Sequence, residues 1–251
     1  MGTIEKFRKN LLENYKPMLD KIAKSKYKES SCVFCAQWGE TFLDVSEEAK
    51  VFFVGRAVNG WIHNIIDSEI IFGSSDDRLF NRPDQLKWVV TSYGKTNGYN
   101  PKKSAFWRVV KRVAIEMQAI HDSNWHKKIA WSNLFKVAPN QTGGNPNIKL
   151  RNIQREYCIS IFKKELEFFN PEIIVMFTGG WEGYFLKNLM GIDRMENLPE
   201  PKKVIGWGDK YESSVFEIDC FGEKRKFIVS QHPMGKKEFP HVEAILKLMW
   251  Y

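Results

Sequence analysis

A membrane-spanning helix needs about 18 or more consecutive apolar residues, and this sequence has no run of that length. Its charged amino-terminal stretch also lacks the apolar core of a signal peptide, so we expect a cytoplasmic protein. Only four cysteines are present, and without a secretion signal they do not predict a disulfide framework. Internal repeats, low-complexity stretches and a domain linker are missing as well, which favours a single domain over residues 1–251.

The composition is that of a globular protein with an excess of positive charge. Apolar residues make up 43% of the chain and charged residues 27%, so the chain can bury a sizeable core. The formal net charge is +8 and the pI is near 9.2. This charge suits a polyanionic partner such as DNA, although a basic surface also keeps many proteins in solution. Charge alone therefore favours nucleic-acid binding only weakly.

Four short apolar runs each end in a glycine, an asparagine or a histidine. They begin at Val51, Ile129, Ile173 and Phe227. Runs of this length predict strands that are buried on both faces, and therefore a mainly parallel, four-stranded sheet between two layers of helices. A pair of alternating strands that turns at Gly222 predicts a β-hairpin extension. The expected fold is thus a three-layer α/β/α domain with an added hairpin.

The segments around these strands predict the helices and one insertion. Apolar residues at helical spacing predict a helical amino-terminal extension over about residues 1–47, which Pro17 should divide into two helices. Ser104 fits the N-cap of a helix that reaches Met117. Residues 62–100 have no clear periodicity, and we expect them to form an insertion close to the strand ends.

Ligands of parallel sheets bind beyond the carboxyl ends of the strands, so the residues that end the four strands should meet at one edge. These residues are Gly55, Asn133, Gly179 and His232. Short motifs surround them: Gly-Arg-Ala-Val-Asn-Gly over residues 55–60, Asn-Leu-Phe-Lys-Val-Ala-Pro over 133–139, and the pair His232-Pro233. In addition, Tyr99 precedes the pair Phe106-Trp107 by seven residues. In content and order these motifs resemble the uracil-DNA glycosylase superfamily over roughly residues 48–240.

The resemblance implies a catalytic set of His232, Asn59 and Arg56. In the family the histidine stabilises charge on the departing base, and the glycine turn activates water; Ala57 matches variants with alanine in the third position of that turn. A donor aimed at a developing oxyanion is worth ~3–4 kcal/mol in comparable sites. Other roles stay open: Arg56 can bind a phosphate or an acidic neighbour, and Asn59 can orient a water or adopt a left-handed turn.

The resemblance also implies a pocket for a base that has been flipped out of the helix. Asn133 would bind the edge of the base, because an amide offers both a donor and an acceptor. Tyr99 would stack on the base, where one aromatic ring is worth ~1–3 kcal/mol. The substrate-binding set implied by the motifs consists of Gly55, Ala57, Tyr99, Asn133, Pro233 and Met234. Asn133 can also simply cap a strand end, and His232 can merely shape the turn before Pro233.

The sequence departs from the family at two features, the carboxylate that acts as general base and the apolar residue that fills the gap left by the flipped base. No carboxylate is present in residues 55–60, so the usual general base is missing; Asp67 is a candidate replacement that also fits a solvated helix position. The His-Pro motif continues as Met-Gly-Lys-Lys, and Met234 is the only nearby apolar residue that can fill the gap left by the flipped base.

The cysteines partly match the ligands of the iron–sulfur branch. Cys32 and Cys35 have the spacing of a ligand pair, and Cys158 falls where that branch has its last ligand, but Val137 occupies the remaining position. Iron–sulfur clusters usually need four thiolates. We therefore expect no cluster and no other cofactor.

Three functional hypotheses follow. The first is a monomeric DNA glycosylase that hydrolyses the N-glycosidic bond of a deaminated or damaged base. The second is a protein of the same fold that binds a base, nucleotide or nucleic acid without turnover. The third is a basic α/β protein whose glycine turn binds another phosphorylated ligand.

Overall fold

A computed structural model describes residues 3–45, 50–58, 68–73, 80, 84–90, 99–118, 123–140 and 144–251. The α-helices are α1 (Thr3–Ala23), α2 (Ser68–Gly73), α3 (Ala105–Gln118), α4 (Ile148–Phe169), α5 (Gly183–Leu189) and α6 (Glu238–Met249). The strands are β1 (Ser31–Val33), β2 (Gln37–Trp38), β3 (Val51–Gly55), β4 (Ala130–Asn133), β5 (Val137–Pro139), β6 (Ile173–Met176), β7 (Lys203–Trp207), β8 (Tyr211–Cys220) and β9 (Glu223–Val229).

Seven of these strands form one mixed sheet in the order β2-β4-β3-β6-β9-β8-β7. Strands β4, β3, β6 and β9 are neighbours and pair in parallel. Antiparallel pairs with β2 at one edge and with β8 and β7 at the other extend the sheet. Strands β1 and β5 form a separate antiparallel pair.

The predicted α/β class is confirmed, but the sheet differs from the mainly parallel, four-stranded sheet that the sequence suggested. It is larger and mixed, because β8 and β7 continue the sheet beyond β9 in antiparallel pairs, and the hairpin predicted at Gly222 is formed by β8 and β9 within it. Strand β2 has only two residues, too few to produce a recognisable alternation. Cys32 also lies in a strand, β1, within the segment for which the sequence suggested a helical extension.

Alternating residues of the central strands point into two hydrophobic cores, one on each face of the sheet. Phe52 and Val54 of β3 lie in the first core with residues of α1, α4 and α5, whereas Val51 and Phe53 lie in the second core with residues of α3 and α6. Both faces are therefore covered by helices. This burial on both sides explains why β3, β4 and β6 are continuously apolar or small in sequence.

Pro17 does not divide the amino-terminal segment, contrary to the prediction, because α1 is a single helix of 21 residues with this proline inside it. Pro17 lies on the exposed side, where water can satisfy the carbonyl that loses its partner. The buried side of α1 packs into the first core, and the Tyr15 hydroxyl donates a 2.8 Å hydrogen bond to the Phe34 carbonyl. Tertiary packing therefore keeps the helix continuous through the proline.

None of the described helices is both long and apolar enough to cross a membrane.

Candidate functional site

The carboxyl ends of the four parallel strands meet in one place. Gly55, the last residue of β3, is directly paired with Asn133, the last residue of β4. Beyond β6 and β9, the Gly179 amide donates a 3.0 Å hydrogen bond to the Ser230 carbonyl. The Arg56 Nε joins the two halves, because it donates a 2.6 Å hydrogen bond to the Thr178 carbonyl. We call the residues Gly55, Asn133, Phe106 and His232, which lie at or against these strand ends, the crevice.

Asn133 is the most unusual polar residue in the crevice. Its side chain is 2% exposed, and its Nδ2 is buried without a hydrogen-bond partner. Its Oδ1 lies so close to the Gly55 Cα that an added Cβ would overlap with it. A buried, unpaired donor costs about 1–3 kcal/mol, which a ligand with a suitably placed acceptor would offset. The amide therefore has the geometry of a ligand-binding group.

His232 follows β9 and packs against an aromatic ring of α3. Its imidazole stacks on Phe106, with ring centroids 6.0 Å apart and an interplanar angle of 23°. The Met234 amide donates a 3.3 Å hydrogen bond to His232 Nδ1. Nδ1 is thus the acceptor, and in the neutral ring the proton is on Nε2.

The electrostatic surroundings keep this imidazole neutral. Burial lowers the pKa of His232 to about 4, with additional contributions from the positive charges of Arg56 and Lys236. At pH 7 the ring therefore presents a neutral Nε2–H donor. In this neutral form Nε2–H can donate a hydrogen bond to an oxyanion while the imidazole keeps its proton.

Phe106, in the first turn of α3, is a member of the crevice that the sequence did not identify as a site residue. It is 8% exposed, and its Cε2 lies 3.7 Å from the position of a Cβ on Gly55. It also contacts His232, so it connects both sides of the crevice. The Phe-Trp pair was visible in the sequence, but helical spacing could not show which of the two rings faces the strand ends.

Tyr99 was predicted to stack on a base, and its described contacts are with Ser104, Trp107 and the second core. Burial raises the pKa of its hydroxyl, against hydrogen bonds with Ser104 and Trp107 that lower it. Its ring packs against the second core. None of its described contacts joins it to Asn133 or His232, whereas Phe106 contacts His232, and the stacking role of Tyr99 stays a prediction.

The remaining predicted residues differ in their accessibility. Ala57 is half-buried and touches both cores, and Pro233 is buried. Met234 is 67% exposed, beside the crevice. Asn59 and Asp67, predicted for catalysis, lie outside the described residues.

A polar network lies directly behind Asn133. The Lys136 Nζ donates hydrogen bonds to Ser132 Oγ at 2.7 Å, to the Asn133 carbonyl at 2.6 Å and to Glu165 at 2.8 Å. Lys136 and Glu165 are fully buried. Burial raises the pKa of Glu165, and the ammonium of Lys136 and the hydroxyl of Ser132 oppose this shift. The network fixes the backbone at the end of β4, which positions the Asn133 side chain.

A second network supports the segment before His232. Trp207 Nε1 donates to Ser213 Oγ at 2.8 Å, Ser213 Oγ lies 2.6 Å from Ser230 Oγ, and Ser230 Oγ lies 2.7 Å from His241 Nε2. His241 also stacks on Trp207, with centroids 4.1 Å apart. Burial, together with the charges of Lys236 and His232, lowers the pKa of His241 to about 3. Antiparallel strands β7 and β8 thereby anchor the histidine turn.

The cysteines lie in two different environments. Cys35 and Cys158 belong to the first core, whereas Cys32 belongs to the second and donates a 3.4 Å hydrogen bond to the Ala138 carbonyl. Burial raises the pKa of both the Cys35 and the Cys158 thiols to about 12. Among the described residues, no three histidine, cysteine or acidic side chains are grouped as metal ligands.

No protein-family model matches this chain, and no curated protein matches it either.

Proposed function

We propose that the protein is a DNA glycosylase of the uracil-DNA glycosylase type, which hydrolyses the bond between deoxyribose and a deaminated or damaged base. The observation that carries this proposal is the buried, unpaired Nδ2 of Asn133 at the end of β4, with the Phe106 ring next to Gly55 and stacked on the neutral imidazole of His232. An amide edge, an aromatic face and an oxyanion donor are the three groups that a flipped pyrimidine base requires.

In the proposed complex the base occupies the crevice. The Asn133 Nδ2 donates to a carbonyl oxygen of the base, which gives the buried donor its missing partner. Phe106 packs against the base. Gly55 leaves room for the Asn133 amide, because an added Cβ would overlap with Asn133 Oδ1. Pro233 and Met234, next to His232, border the opening.

Hydrolysis breaks the bond between C1′ and the base nitrogen. The bonding electrons leave with the base, and its oxyanion accepts a hydrogen bond from His232 Nε2. Water then adds its hydroxyl to C1′, and its other proton neutralises the base. A neutral histidine donor stabilises the charge that develops, without having to transfer its own proton.

The wider assignment also belongs to the proposal. It comprises a three-layer fold of the uracil-DNA glycosylase kind, a monomer that works in the cytoplasm, DNA as the partner and no bound cofactor. The net charge of +8 supports a polyanionic partner. The four adjacent parallel strands, with helices on both faces, support the fold assignment.

The direct test is a cleavage assay. The protein is incubated with labelled oligonucleotides that contain uracil, hypoxanthine or xanthine, and alkali then reveals abasic sites. We expect a product from at least one of them, and its loss in Asn133→Asp, which replaces the donor by an acceptor, and in His232→Ala. Asn124→Asp is the matched control, because Asn124 is exposed and its side chain forms no capping hydrogen bond. Equal loss in the control would contradict the assignment.

A second candidate function is binding without turnover. It is favoured by the absence of a carboxylate in residues 55–60 and by the state of Glu182, the acidic residue that acts on Arg56. Glu182 is already hydrogen-bonded to the Thr178 hydroxyl and, at 3.0 Å, to the Gly180 amide. Oligonucleotide binding that depends on Asn133 but yields no abasic product would establish this alternative.

A further inference from the structure

Two arginines share one tryptophan ring beside the crevice. The guanidinium carbon of Arg151, in the first turn of α4, lies 4.3 Å from the Trp181 ring centroid, and that of Arg56 lies 5.4 Å from the same centroid. Phe135 meets the ring edge-on at 5.8 Å and fixes its orientation. We call Arg56 and Arg151, which share the Trp181 ring, the arginine pair.

Among the described residues neither arginine forms a salt bridge, although the Glu182 carboxylate interacts electrostatically with Arg56. In this part of the chain Arg56 donates to the Thr178 and Gly179 carbonyls, at 2.6 and 3.4 Å. In the part of the chain that the structure describes, Arg151 forms no salt bridge, and its Nε is buried without a hydrogen-bond partner. Each guanidinium therefore keeps unused N–H donors beside an aromatic face, while the carboxylate of Glu182 is held by Thr178 and Gly180.

Arg108 and Arg225, in contrast, are paired with carboxylates. Arg108 binds Glu238 through two of its nitrogens. Arg225 binds Glu223 at 2.7 Å and the Pro171 carbonyl at 2.7 Å. Arg56 and Arg151 carry like charges against the same Trp181 ring, and a bound anion would reduce the repulsion between them.

Arg56 connects the arginine pair to the crevice. A Cβ on Gly179 would come within 2.5 Å of Arg56 Nη2 and 3.0 Å of Gln231 Oε1, the residue before His232. The charge of Arg56 also lowers the pKa values of His232 and Lys236. An anion held by Arg56 would therefore lie next to the nucleotide whose base enters the crevice.

We propose that the arginine pair is a phosphate-binding subsite for the DNA strand, in which Arg56 and Arg151 contact backbone phosphates next to the flipped nucleotide. A guanidinium forms a planar fork of donors that matches phosphate oxygens, and stacking on Trp181 fixes the planes of both forks before the strand arrives. The inference rests on the proposed function, because it assumes that the crevice receives a nucleotide of a DNA strand.

The test is the salt dependence of oligonucleotide binding, measured by fluorescence anisotropy with a labelled single strand that contains the preferred base. Each lost phosphate contact should reduce the slope of log K against log salt by about 0.7 for a single strand. We expect Arg56→Ala and Arg151→Ala each to lower the slope by that amount, and the double variant by about twice as much. Arg151→Gln serves as a second variant that preserves most of the packing on Trp181.

Arg155 offers a matched control on the same helix, one turn further on. Its guanidinium also stacks on an aromatic ring, at 4.2 Å from the Tyr184 centroid, and it binds Asn152. Arg155→Ala should leave the slope unchanged. An unchanged slope in both Arg56→Ala and Arg151→Gln, or an equal decrease in Arg155→Ala, would overturn the subsite, as would a wild type that binds no oligonucleotide.

The failure of the subsite and the failure of the proposed function give different results. Binding without an abasic product rejects the glycosylase, whereas the slopes of the variants still decide the subsite. Inorganic phosphate, exchanged for chloride at constant ionic strength, distinguishes free phosphate from the strand. Thermal stabilisation by phosphate through Arg151, with oligonucleotide slopes that do not change, would assign the arginine pair to a small anion and contradict our proposal.

Discussion

Lys136 and Asn133 are three residues apart, and their surroundings are opposite. Each of the three ammonium protons of Lys136 has an acceptor inside the protein, at 2.6 to 2.8 Å. The Asn133 Nδ2, equally hidden from solvent, has none. The chain thus satisfies a buried charge completely and leaves a neighbouring neutral amide unsatisfied. This difference is what we expect if the first group supports the fold and the second is kept for a ligand, as we propose.

The largest effect on stability is expected when the buried ion pair between Lys136 and Glu165 is broken. Glu165→Leu leaves the Lys136 ammonium buried without its counter-charge, which should lower the free energy of unfolding by about 3–5 kcal/mol. Urea unfolding measures this change. The double variant Lys136→Met/Glu165→Leu should regain much of the loss, because no unpaired charge is left.

The Lys164–Glu167 pair on the same helix is the control. Its atoms are 3.1 Å apart, but its side chains are 40% and 54% exposed. Glu167→Ala should change stability by less than about 1 kcal/mol. If Glu165→Leu were as mild as this exposed variant, Lys136 would not depend on its partner.

The two histidines extend the comparison to pH. Their pKa values fall from 6.5 to about 4 for His232 and about 3 for His241, so the folded protein binds these protons less readily than the unfolded chain does. Their contribution to stability is therefore complete above pH 6.5 and decreases as the pH falls through 6.5 towards 4. The loss should reach about 1.4 kcal/mol per pH unit for each histidine.

Urea unfolding at pH 7 and at pH 5 measures this loss with little interference from ordinary carboxylates, which titrate near pH 4. The charges that act on the two rings are those of Arg56 and Lys236 for His232, and those of Lys236 and His232 for His241. In His232→Gln the dependence on pH should be about half as steep. Equal stability of the wild type at both pH values would contradict the lowered pKa values.

Gly55→Ala tests the close approach of Asn133. The new Cβ would overlap with Asn133 Oδ1, and such overpacking typically costs about 1–3 kcal/mol. Displacement of the amide should also abolish Asn133-dependent binding. Gly206→Ala is the control, because an added Cβ there meets no atom within 4 Å. An unaffected Gly55→Ala variant would mean that the amide is free to move.

The smallest effect on stability is expected from removing the Asn133 amide, whose Nδ2 has no hydrogen-bond partner. Asn133→Ala removes a donor that has no partner, so the cavity that it leaves is offset by the loss of an unsatisfied group, and stability should change by less than about 1 kcal/mol. Binding of the oligonucleotide should nevertheless be lost. A decrease in stability of more than about 2 kcal/mol would assign Asn133 to the fold instead of to a ligand.

Part of the candidate site could be predicted from the sequence because parallel strands end at a common edge. Gly55 and Asn133 were expected to meet for this reason, and the register pairs them directly. The sequence could not distinguish Tyr99 from Phe106, since the choice depends on how α3 rotates against the sheet. It also failed at Pro17, where burial of one helix face outweighs the local preference to break.

The cysteines show the same limit. Cys32 and Cys35 are close in sequence, yet their side chains enter different cores. Cys35 and Cys158 share the first core although they are far apart in the chain. Spacing along the chain could not establish this arrangement, because it follows from the direction of each side chain in the tertiary structure.

The sequence by itself determined the apolar strands, the polar residues that end them and the helices between them, because periodicity and turn residues act locally. Only the tertiary structure decided which polar groups find partners. Lys136 meets Glu165 across the interface of β4 and α4, whereas the Asn133 amide meets none. The satisfaction of a buried group depends on the whole packing around it, and that packing is what separates the support from the candidate site.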